Sequence, residues 1–355
     1  MAETVVGSGN IVKKWSAKFF IDYMRASQFN SHMGDDENSV IQLVDNLLKE
    51  AGDQIAVPLI KKLSGAGVTG SSTLEGQEES LLNYAHPITV NMLRNGVQTN
   101  VLEQQRTEIN LLNAGRTALK VWAIENLRDA IIAALMAAKI DGKTAYASCT
   151  EAEKDAWLVA NSDRVQFGKL VSNGSSDDHS TSLANIDNTD DKLTALLVSL
   201  CKRRAKTATN GVIRPIMVDG AGEWYVMYAH YLAFRDLSVD TTIVANRQYA
   251  LDRGRDNPLF SAGDIIHDGV IVKEVPEIPV VGAVGASSIQ VVPNFLCGAQ
   301  AIGVAWAQKT KGSTQVTDYG FKQGAAISEI RGVEKLTYNS VQHGVLTCYT
   351  AGVAD

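Results

Sequence analysis

Apolar and polar positions along this 355-residue chain change period several times, and each change marks an element. After a small, polar start over residues 1–12, helical spacing runs from Trp15 to Met24 and again from Val40 to Leu48, with Gly52 placed to stop the second helix. "DQIAVPLIKKL" then reads as extended, and Pro58 inside it suits an edge strand. "AHPITVNMLRNGVQT" reads as another strand, with Ile88, Val90 and Met92 alternating to one face. Between the two, residues 64–73 are rich in Gly, Ser and Thr, the composition of a flexible tip. The pair forms a two-stranded excursion with a long glycine-rich turn.

A long helix is predicted from Glu103 to Lys139. Leu112, Leu119, Ala123, Leu127, Ile131 and Leu135 recur at spacings of four or seven that keep one side of a helix, and Asp141-Gly142 supplies the stop. Unbroken it would span about 54 Å, and Gly115 is the place where it would bend or break. A short helix follows over Glu151–Ala160. "SNGSSDDHSTSLANIDNTDD" reads as a polar, mobile loop, and "KLTALLVSLCKRRAK" as an amphipathic helix whose basic end suits its dipole. "IRPIMVDG" and "EWYVMYAH" read as buried strands around a turn at Asp219 to Gly222, and "DGVIVKEVPEIPVV" as a strand. "NFLCGAQAIGVAWAQ" reads as a buried helix with Phe295, Ala299, Ile302 and Trp306 on one side. "AAISEIRGVEKLTYNSVQHGVLTCYT" reads as two strands around a polar turn at Asn339 to Gly344. There is no internal repeat. The order of elements gives an α+β class, not a regular βαβ alternation.

Composition changes this picture only in part. With 45% hydrophobic and 20% charged residues the chain can bury sizeable cores and is not disordered as a whole. A net charge of −6 argues against a dedicated nucleic-acid binder, leaving a local basic patch open. Cys149, Cys201, Cys297 and Cys348 are scattered, without C-x-x-C or a histidine at metal spacing, and read as buried free thiols in a reducing compartment. The start "MAETVVGSGNIVKKW" is not a signal peptide. The longest apolar run, Ala130 to Ala138, falls short of the roughly 20 residues a membrane span needs, so a soluble protein made in a cytoplasm is expected.

Gly65, Gly67 and Gly70 spell G-x-G-x-x-G, but a dinucleotide fingerprint needs a buried strand before it, a helix opening inside it and an acid about 20 residues on. "SSTLEGQEES" carries no apolar helical stripe and no acid lies near position 90, so a hairpin tip is the better reading. "DGKTAY" echoes the end of a phosphate loop, yet Ala137 stands where the first glycine is required. No G-x-S-x-G or H-E-x-x-H occurs. "DNTDD" at Asp187 to Asp191 has the acidic composition of a calcium loop, but Lys192 and Val198 occupy the positions of the required Gly and Glu, leaving a solvated acidic loop. Glu75, Glu78 and Glu79 lie beside the flexible tip, opposite Lys61 and Lys62; a solvated hairpin and contact with a neighbouring subunit both remain open.

The stretches "GDQIAVPLIKKLSGAGVTGSSTLEGQEESL", "EQQRTEINLLNAGRTALKVWA", "IRPIMVDGAGEWYVMYAHYLAFRDL", "NPLFSAGDIIHDGVIVKEV", "GAQAIGVAWAQ" and "DYGFKQGAAISEIRGVEKLTYN" occur in a distinctive order. Together they resemble the N-four-like family of tailed-phage major capsid proteins, which has the Hong Kong 97-type fold. The resemblance runs from about residue 45 to the C-terminus, with the polar stretch near 165–190 departing as a variable loop. It implies an N-terminal arm and helices over residues 1–51 and an extended E-loop hairpin over 52–102. It further implies a P-domain over 103–205, with a spine helix at 103–139 and a variable loop at 161–191, an axial A-domain over 206–322, and C-terminal strands returning to the P-domain over 323–355.

The function this resemblance implies is structural: a subunit that self-assembles as hexamers and pentamers into an icosahedral shell enclosing double-stranded DNA without sequence-specific binding. It implies no catalysis, cofactor, metal or membrane. Scaffold, portal and decoration proteins are its implied further partners. The implied location is the virion capsid, assembled in the bacterial host cytoplasm. Subunit contact is assigned to Leu63, Gly65, Gly67, Val68, Thr69, Gly70, Thr73, Leu74, Glu75, Gly76, Glu78 and Glu79. Arg106, Arg116 and Trp122 mark the spine helix, the two arginines placed to meet acidic loops of neighbours. A hairpin that packs on a neighbour is expected to leave Ile55, Val57, Leu59 and Leu63 unburied in its own chain. Its glycines would allow the non-identical contacts of five- and six-fold rings at small strain. The alternatives are an encapsulin-type compartment shell and, from another class, a soluble enzyme using His230 and Asp236.

Overall fold

The computed structural model describes residues 29–45, 52–63, 65, 67–71, 73–106, 110–218, 222–250 and 264–352. The expected helix from Trp15 to Met24 and most of the turn at Asp219 to Gly222 lie outside the described residues.

In chain order, β1 (Met33–Gly34) and β2 (Ile41–Val44) are followed by β3 (Gln54–Ile60), β4 (Asn83–Thr89) and β5 (Asn91–Asn100). Helices α1 (Val101–Arg106), α2 (Leu111–Met136) and α3 (Glu151–Ala160) come next, then β6 (Val165–Phe167), α4 (His179–Ala184) and α5 (Ala195–Thr207). The chain continues through β7 (Ile216–Val218), β8 (Gly222–Ala229), α6 (Tyr231–Val239), α7 (Thr241–Ala250), β9 (Ile265–His267), β10 (Val270–Glu274) and β11 (Val291–Cys297). It closes with β12 (Ile302–Thr317), β13 (Lys322–Lys335), β14 (Thr337–Tyr338), β15 (Val341–Gln342) and β16 (Val345–Ala351).

Two sheets organise these elements. The first has the order β1-β2-β12-β13-β5 and is built on the long β12–β13 hairpin. The second runs β6-β16-β11-β8-β10-β9, with β7 also paired to β8. Helix α2 lies on the first sheet. Leu119, Ala123, Leu127, Ile131 and Leu135 are buried, as the helical spacing predicts, against Val304, Trp306, Ala325 and Ile327. Phe295, Val226 and Tyr228 of the second sheet join the same core, and Phe29 meets Tyr228 edge to face at 4.9 Å. The other face of the second sheet, with Tyr225, Met227 and Leu296, packs on Leu197, Val198 and Cys201 of α5. Strand β8 is therefore buried on both faces, which is why its sequence is a continuous apolar run.

Several expectations are corrected. The segment read as a buried helix around Phe295 to Trp306 is two strands, β11 and β12. Strand β11 and the first part of β12, Ile302–Trp306, are buried on both faces, so nearly every position there is apolar and a helical period fits by accident. Gln300 sits between them at φ +55°, and a Cβ on Gly298 would lie 2.2 Å from the Arg214 carbonyl oxygen. The start of the expected Val40–Leu48 helix is instead strand β2, parallel to β12 with Ile41 opposite Ile302; residues 46–48 lie outside the described residues. The single strand read through Ile88, Val90 and Met92 is broken: β4 pairs with β3 and β5 with β13, so Ile88 is fully buried while Met92 is half exposed.

The long helix also differs. Helix α2 starts at Leu111, capped by Asn110, whose side chain accepts from the Asn113 amide. It runs through Gly115 without a break. That glycine serves close packing, since a Cβ there would lie 2.9 Å from Val97 Cγ1. The stretch read as a mobile polar loop contains α4 and is built around buried Asp191, which accepts from the amides of Lys169 and Asp187 and from Asn173 Nδ2. Finally, a division at residue 322 falls at the tip of the β12–β13 hairpin, and the last strand, β16, lies between β6 and β11 in the second sheet.

Lys335, at the end of β13, is fully buried. Its Nζ donates to the Ala137 carbonyl at 2.9 Å and to Gln342 Oε1 at 3.3 Å, above the Trp157 ring, so it ties the end of α2 to β15 and α3. Desolvation lowers its pKa to about 7, against the opposing pull of Cys297 and Cys149. From about pH 7 to the ordinary lysine value of 10.5 the unfolded chain binds a proton that the folded chain does not, so this group makes stability rise with pH across that window. Lys335→Met is expected to gain less stability than the parent between pH about 7 and about 9 in denaturant titrations. Equal gains in both proteins would contradict this reading.

Candidate subunit interface: the arm and its root

The β3–β4 hairpin and the stretch between its strands form an arm. Its two strands pair antiparallel from Gln54 opposite Thr89 to Ile60 opposite Asn83. Pro58 is accommodated because this ribbon has only two strands. The root of the arm is not left for a neighbour. Ile55, Val57 and Ile88 are buried in a cluster with Ala305, Leu336 and Tyr338, and Leu59 packs against it half-buried. This corrects the expectation for Ile55 and Val57. The first sheet admits the ribbon at two glycines: a Cβ on Gly332 would lie 2.2 Å from the Thr89 carbonyl oxygen, and one on Gly303 would lie 2.5 Å from Ile88 Cδ1.

A buried polar clamp closes the root. Glu334 accepts from the Thr89 amide at 2.9 Å through one oxygen and meets His86 Nε2 at 3.2 Å through the other. His86 Nδ1 lies 3.1 Å from Thr337 Oγ1. One tautomer satisfies every contact, with Nε2–H donating to Glu334 and Nδ1 accepting from the hydroxyl.

Beyond Ile60 the ribbon ends. No regular element forms between Lys61 and Leu82 among the described residues. Every arm residue assigned from the sequence lies here and is exposed, except half-buried Val68. Gly67, Gly70 and Gly76 have φ of +70°, +71° and +83°, with no atom within 4 Å of where a Cβ would stand. They serve backbone conformation in open space, and among the described residues no strand–helix phosphate cradle forms around them. Glu79 accepts from the Gly65 amide at 2.6 Å and Glu78 from the Gly76 amide at 2.7 Å, so two of the acids brace the loop itself. Ile60, Leu63, Leu74, Leu81 and Leu82 are each more than half exposed.

The three helix residues are spread over other elements. Arg106 pairs with Glu103 on α1, Arg116 donates to Asn113 on α2, and Trp122 packs half-buried against the main core. A cleft of about 620 Å³ separates the arm root from the loops at 209–212 and 338–343, with Leu59, Leu82, Tyr84, Val212 and Tyr338 among its walls. Arg164, almost fully buried at its edge, donates to the carbonyls of Gln342, His343 and Gly211. His230 and Asp236 do not line this cleft. His230 caps α6 by accepting from the Leu232 amide, and burial lowers its pKa to about 4. Burial raises the pKa of Asp236.

Sequence reasoning misses the clamp of His86, Glu334 and Thr337. The one available signal is that His86 shares a strand face with Ile88; its partners lie some 250 residues away.

Comparison with known proteins fits this architecture. The phage capsid protein family model matches residues 3–354, and the chain belongs to that family. The major capsid protein of Pseudomonas phage KPP25 is 27% identical over 95% of this chain and 94% of its own length. The capsid asymmetric unit of cyanophage Pam1 superposes over the whole of both chains with a TM-score of 0.85 and 34% identity. The capsid of Ralstonia phage GP4 covers 92% of each chain at 21% identity and a TM-score of 0.74, a likeness of fold. The fold is thus the Hong Kong 97-type capsid fold, and the chain is a bacteriophage major capsid protein. These comparisons lend no support to the encapsulin-type shell or the soluble enzyme.

Replacing Glu334 with Ala leaves the Thr89 amide and His86 without their partner in a buried site. The expected cost is about 1–3 kcal/mol in denaturant unfolding, and faster hydrogen exchange at the Thr89 amide. An Ala variant as stable as the parent would show that the clamp does not hold the arm.

Proposed function

We propose that the chain assembles with copies of itself through the arm, as hexamers and pentamers of an icosahedral shell that encloses double-stranded DNA, built in the bacterial host cytoplasm. Residues 52–90 serve as the E-loop, shorter than the 52–102 expected because β5 belongs to the first sheet; α2 with the first sheet is the peripheral layer, and the second sheet with α5 and α6 the axial domain. Scaffold, portal and decoration proteins are further partners. The role of the chain is structural, without a catalytic step. The net charge of −6 is compatible with enclosing a genome, because lining packed DNA does not require tight phosphate binding.

One observation carries the reading: the arm is anchored at its root yet carries Ile60, Leu63, Leu74, Leu81 and Leu82 into solvent. Exposed apolar groups gathered on a projecting element favour cover by a second molecule. Obligate interfaces bury some 2,000–5,000 Å², which a shell subunit collects from several neighbours. In this reading Leu63, Val68, Leu74 and the flanking glycines make the contact. Glu75 and Lys61 lie beside them, and Arg106 and Arg116 face acidic loops of adjacent copies.

The test replaces residues 64–79 by a short Gly-Ser linker and expresses the variant with the genomic neighbours of the chain. The expected outcome is a folded subunit with the parent's unfolding transition and a loss of at least ~10-fold in shells seen by electron microscopy, since every 1.4 kcal/mol of lost contact is tenfold in association. Shells formed at the parent's yield would overturn the assignment of the arm.

A further inference from the structure

Three Asn-Gly dipeptides occur in the chain, at Asn95-Gly96, Asn173-Gly174 and Asn210-Gly211. The chemistry available to each is the same. The backbone nitrogen of the glycine attacks the side-chain carbonyl carbon of the asparagine. A nitrogen–Cγ bond forms, the Cγ–Nδ2 bond breaks, and ammonia leaves with the amide proton. Solvent water then opens the five-membered imide at either carbonyl, giving aspartate or an isoaspartyl linkage. No oxidant, reductant or enzyme is needed. Glycine favours the attack because no Cβ obstructs the nitrogen. The step also needs a glycine nitrogen without a hydrogen-bond partner, a free carboxamide, and a backbone able to turn toward ring closure.

The fold gives the three sites different access to that step. Asn173 is buried, and its Nδ2 donates to the Phe167 carbonyl at 3.1 Å and to Asp191 Oδ2 at 2.9 Å. The Gly174 nitrogen donates to the Val171 carbonyl at 3.2 Å, so both reacting groups are occupied. Asn95 lies inside β5, opposite Ile327, and the ladder to β13 holds its backbone extended. The Gly96 amide there donates to Asn95 Oδ1 at 2.8 Å, which commits the nitrogen as a donor.

Asn210 and Gly211 are both exposed, in the loop between α5 and β7. Among the described residues neither the Asn210 carboxamide nor the Gly211 nitrogen makes a hydrogen bond. Gly211 stands at φ +116° and no strand ladder pins it. The loop is held only at its margins: the Asn210 amide and Thr209 Oγ1 donate to Asp163 Oδ2, and the Gly211 carbonyl accepts from Arg164.

We propose that Asn210 converts spontaneously to aspartate and isoaspartate, making the 208–212 loop a slow chemical timer at the rim of the cleft beside the arm root. The product places a new carboxylate next to Asp163. The isoaspartyl form also lengthens the main chain by one carbon between Asp163's anchor and the carbonyl held by Arg164. Both changes weaken the attachment of this loop. The inference concerns the folded subunit and stands apart from the role proposed for the arm.

The test incubates the full-length chain in mildly alkaline buffer and follows the amide-to-acid mass change in tryptic peptides. Trypsin does not cut between Arg214 and Pro215, so Asn210 is the only asparagine in the fragment 207–235, while Asn95 and Asn173 fall in 95–106 and 170–192. A parallel sample is kept unfolded in guanidinium chloride. Asn210 is expected to convert roughly tenfold or more faster than the other two in the folded chain, because those need local opening first. The three rates are expected to converge in denaturant. Asn210→Gln, whose longer side chain closes a ring slowly, is expected to lose the signal in 207–235 and to keep its melting temperature on ageing while the parent's falls. An Asn210 that stays an amide, or converts no faster than Asn95 or Asn173 in the folded chain, overturns the assignment. An aged parent that has converted but melts like fresh protein overturns the proposed weakening.

Discussion

A two-stranded ribbon is marginal in water by itself, and this constraint governs the arm. The arm extends from the subunit because its root is fastened: Ile55, Val57 and Ile88 are buried against Ala305, Leu336 and Tyr338, and Glu334 grips the Thr89 amide and His86 beneath them. The fastening relies on the first sheet being fixed in place, which the stripe of α2 from Leu119 to Leu135 provides by packing across β12 and β13. Lys335 then joins the end of that helix to β15, the strand paired with Tyr338 of β14, so the floor under the arm is braced from a second side. Packing at the root and exposure at the tip are two halves of one device.

Much of this is legible in the sequence. The α2 stripe, the capped α3 helix at Glu151–Ala160, the ribbon with Pro58 and the glycine-rich tip follow from local rules of period and turn chemistry. So does the turn at Asn339 and Ser340, which both adopt positive φ. Pattern reading fails where burial is two-sided. Phe295–Cys297, Ile302–Trp306 and Ile41–Val44 sit in strands with little or no solvent-facing side, and a run with few polar positions has no period to read. The arm residues from Leu63 to Glu79 form an exposed tip as their composition suggests, whereas Ile55 and Val57 need no neighbour because the root covers them. No local pattern shows that β12 and β13 offer Gly303 and Gly332 as a seat for β4. Asp191 is hidden for the same reason: an acidic run resembles a solvated loop until the amides that converge on one carboxylate are known.

The glycines of the arm separate two chemistries that share one spelling. A phosphate cradle needs glycine so that backbone amides can converge at a helix start. Here Gly67, Gly70 and Gly76 stand in open space at positive φ, on a loop that Glu78 and Glu79 brace through the neighbouring amides. A tip of this kind can adjust to neighbours that are not identically placed, which the proposed shell requires. The same economy explains His230, which the fold uses as a helix cap.

The central claim is that the arm is finished by its own chain at the root and by a second copy beyond Ile60. Hydrogen–deuterium exchange on the isolated subunit and on assembled shells tests it most directly. The account expects residues 54–60 and 83–89 to be protected in both, and residues 61–82 to exchange freely in the subunit and slowly in the shell. Protection of residues 61–82 in the isolated subunit, or free exchange there in the shell, would contradict it.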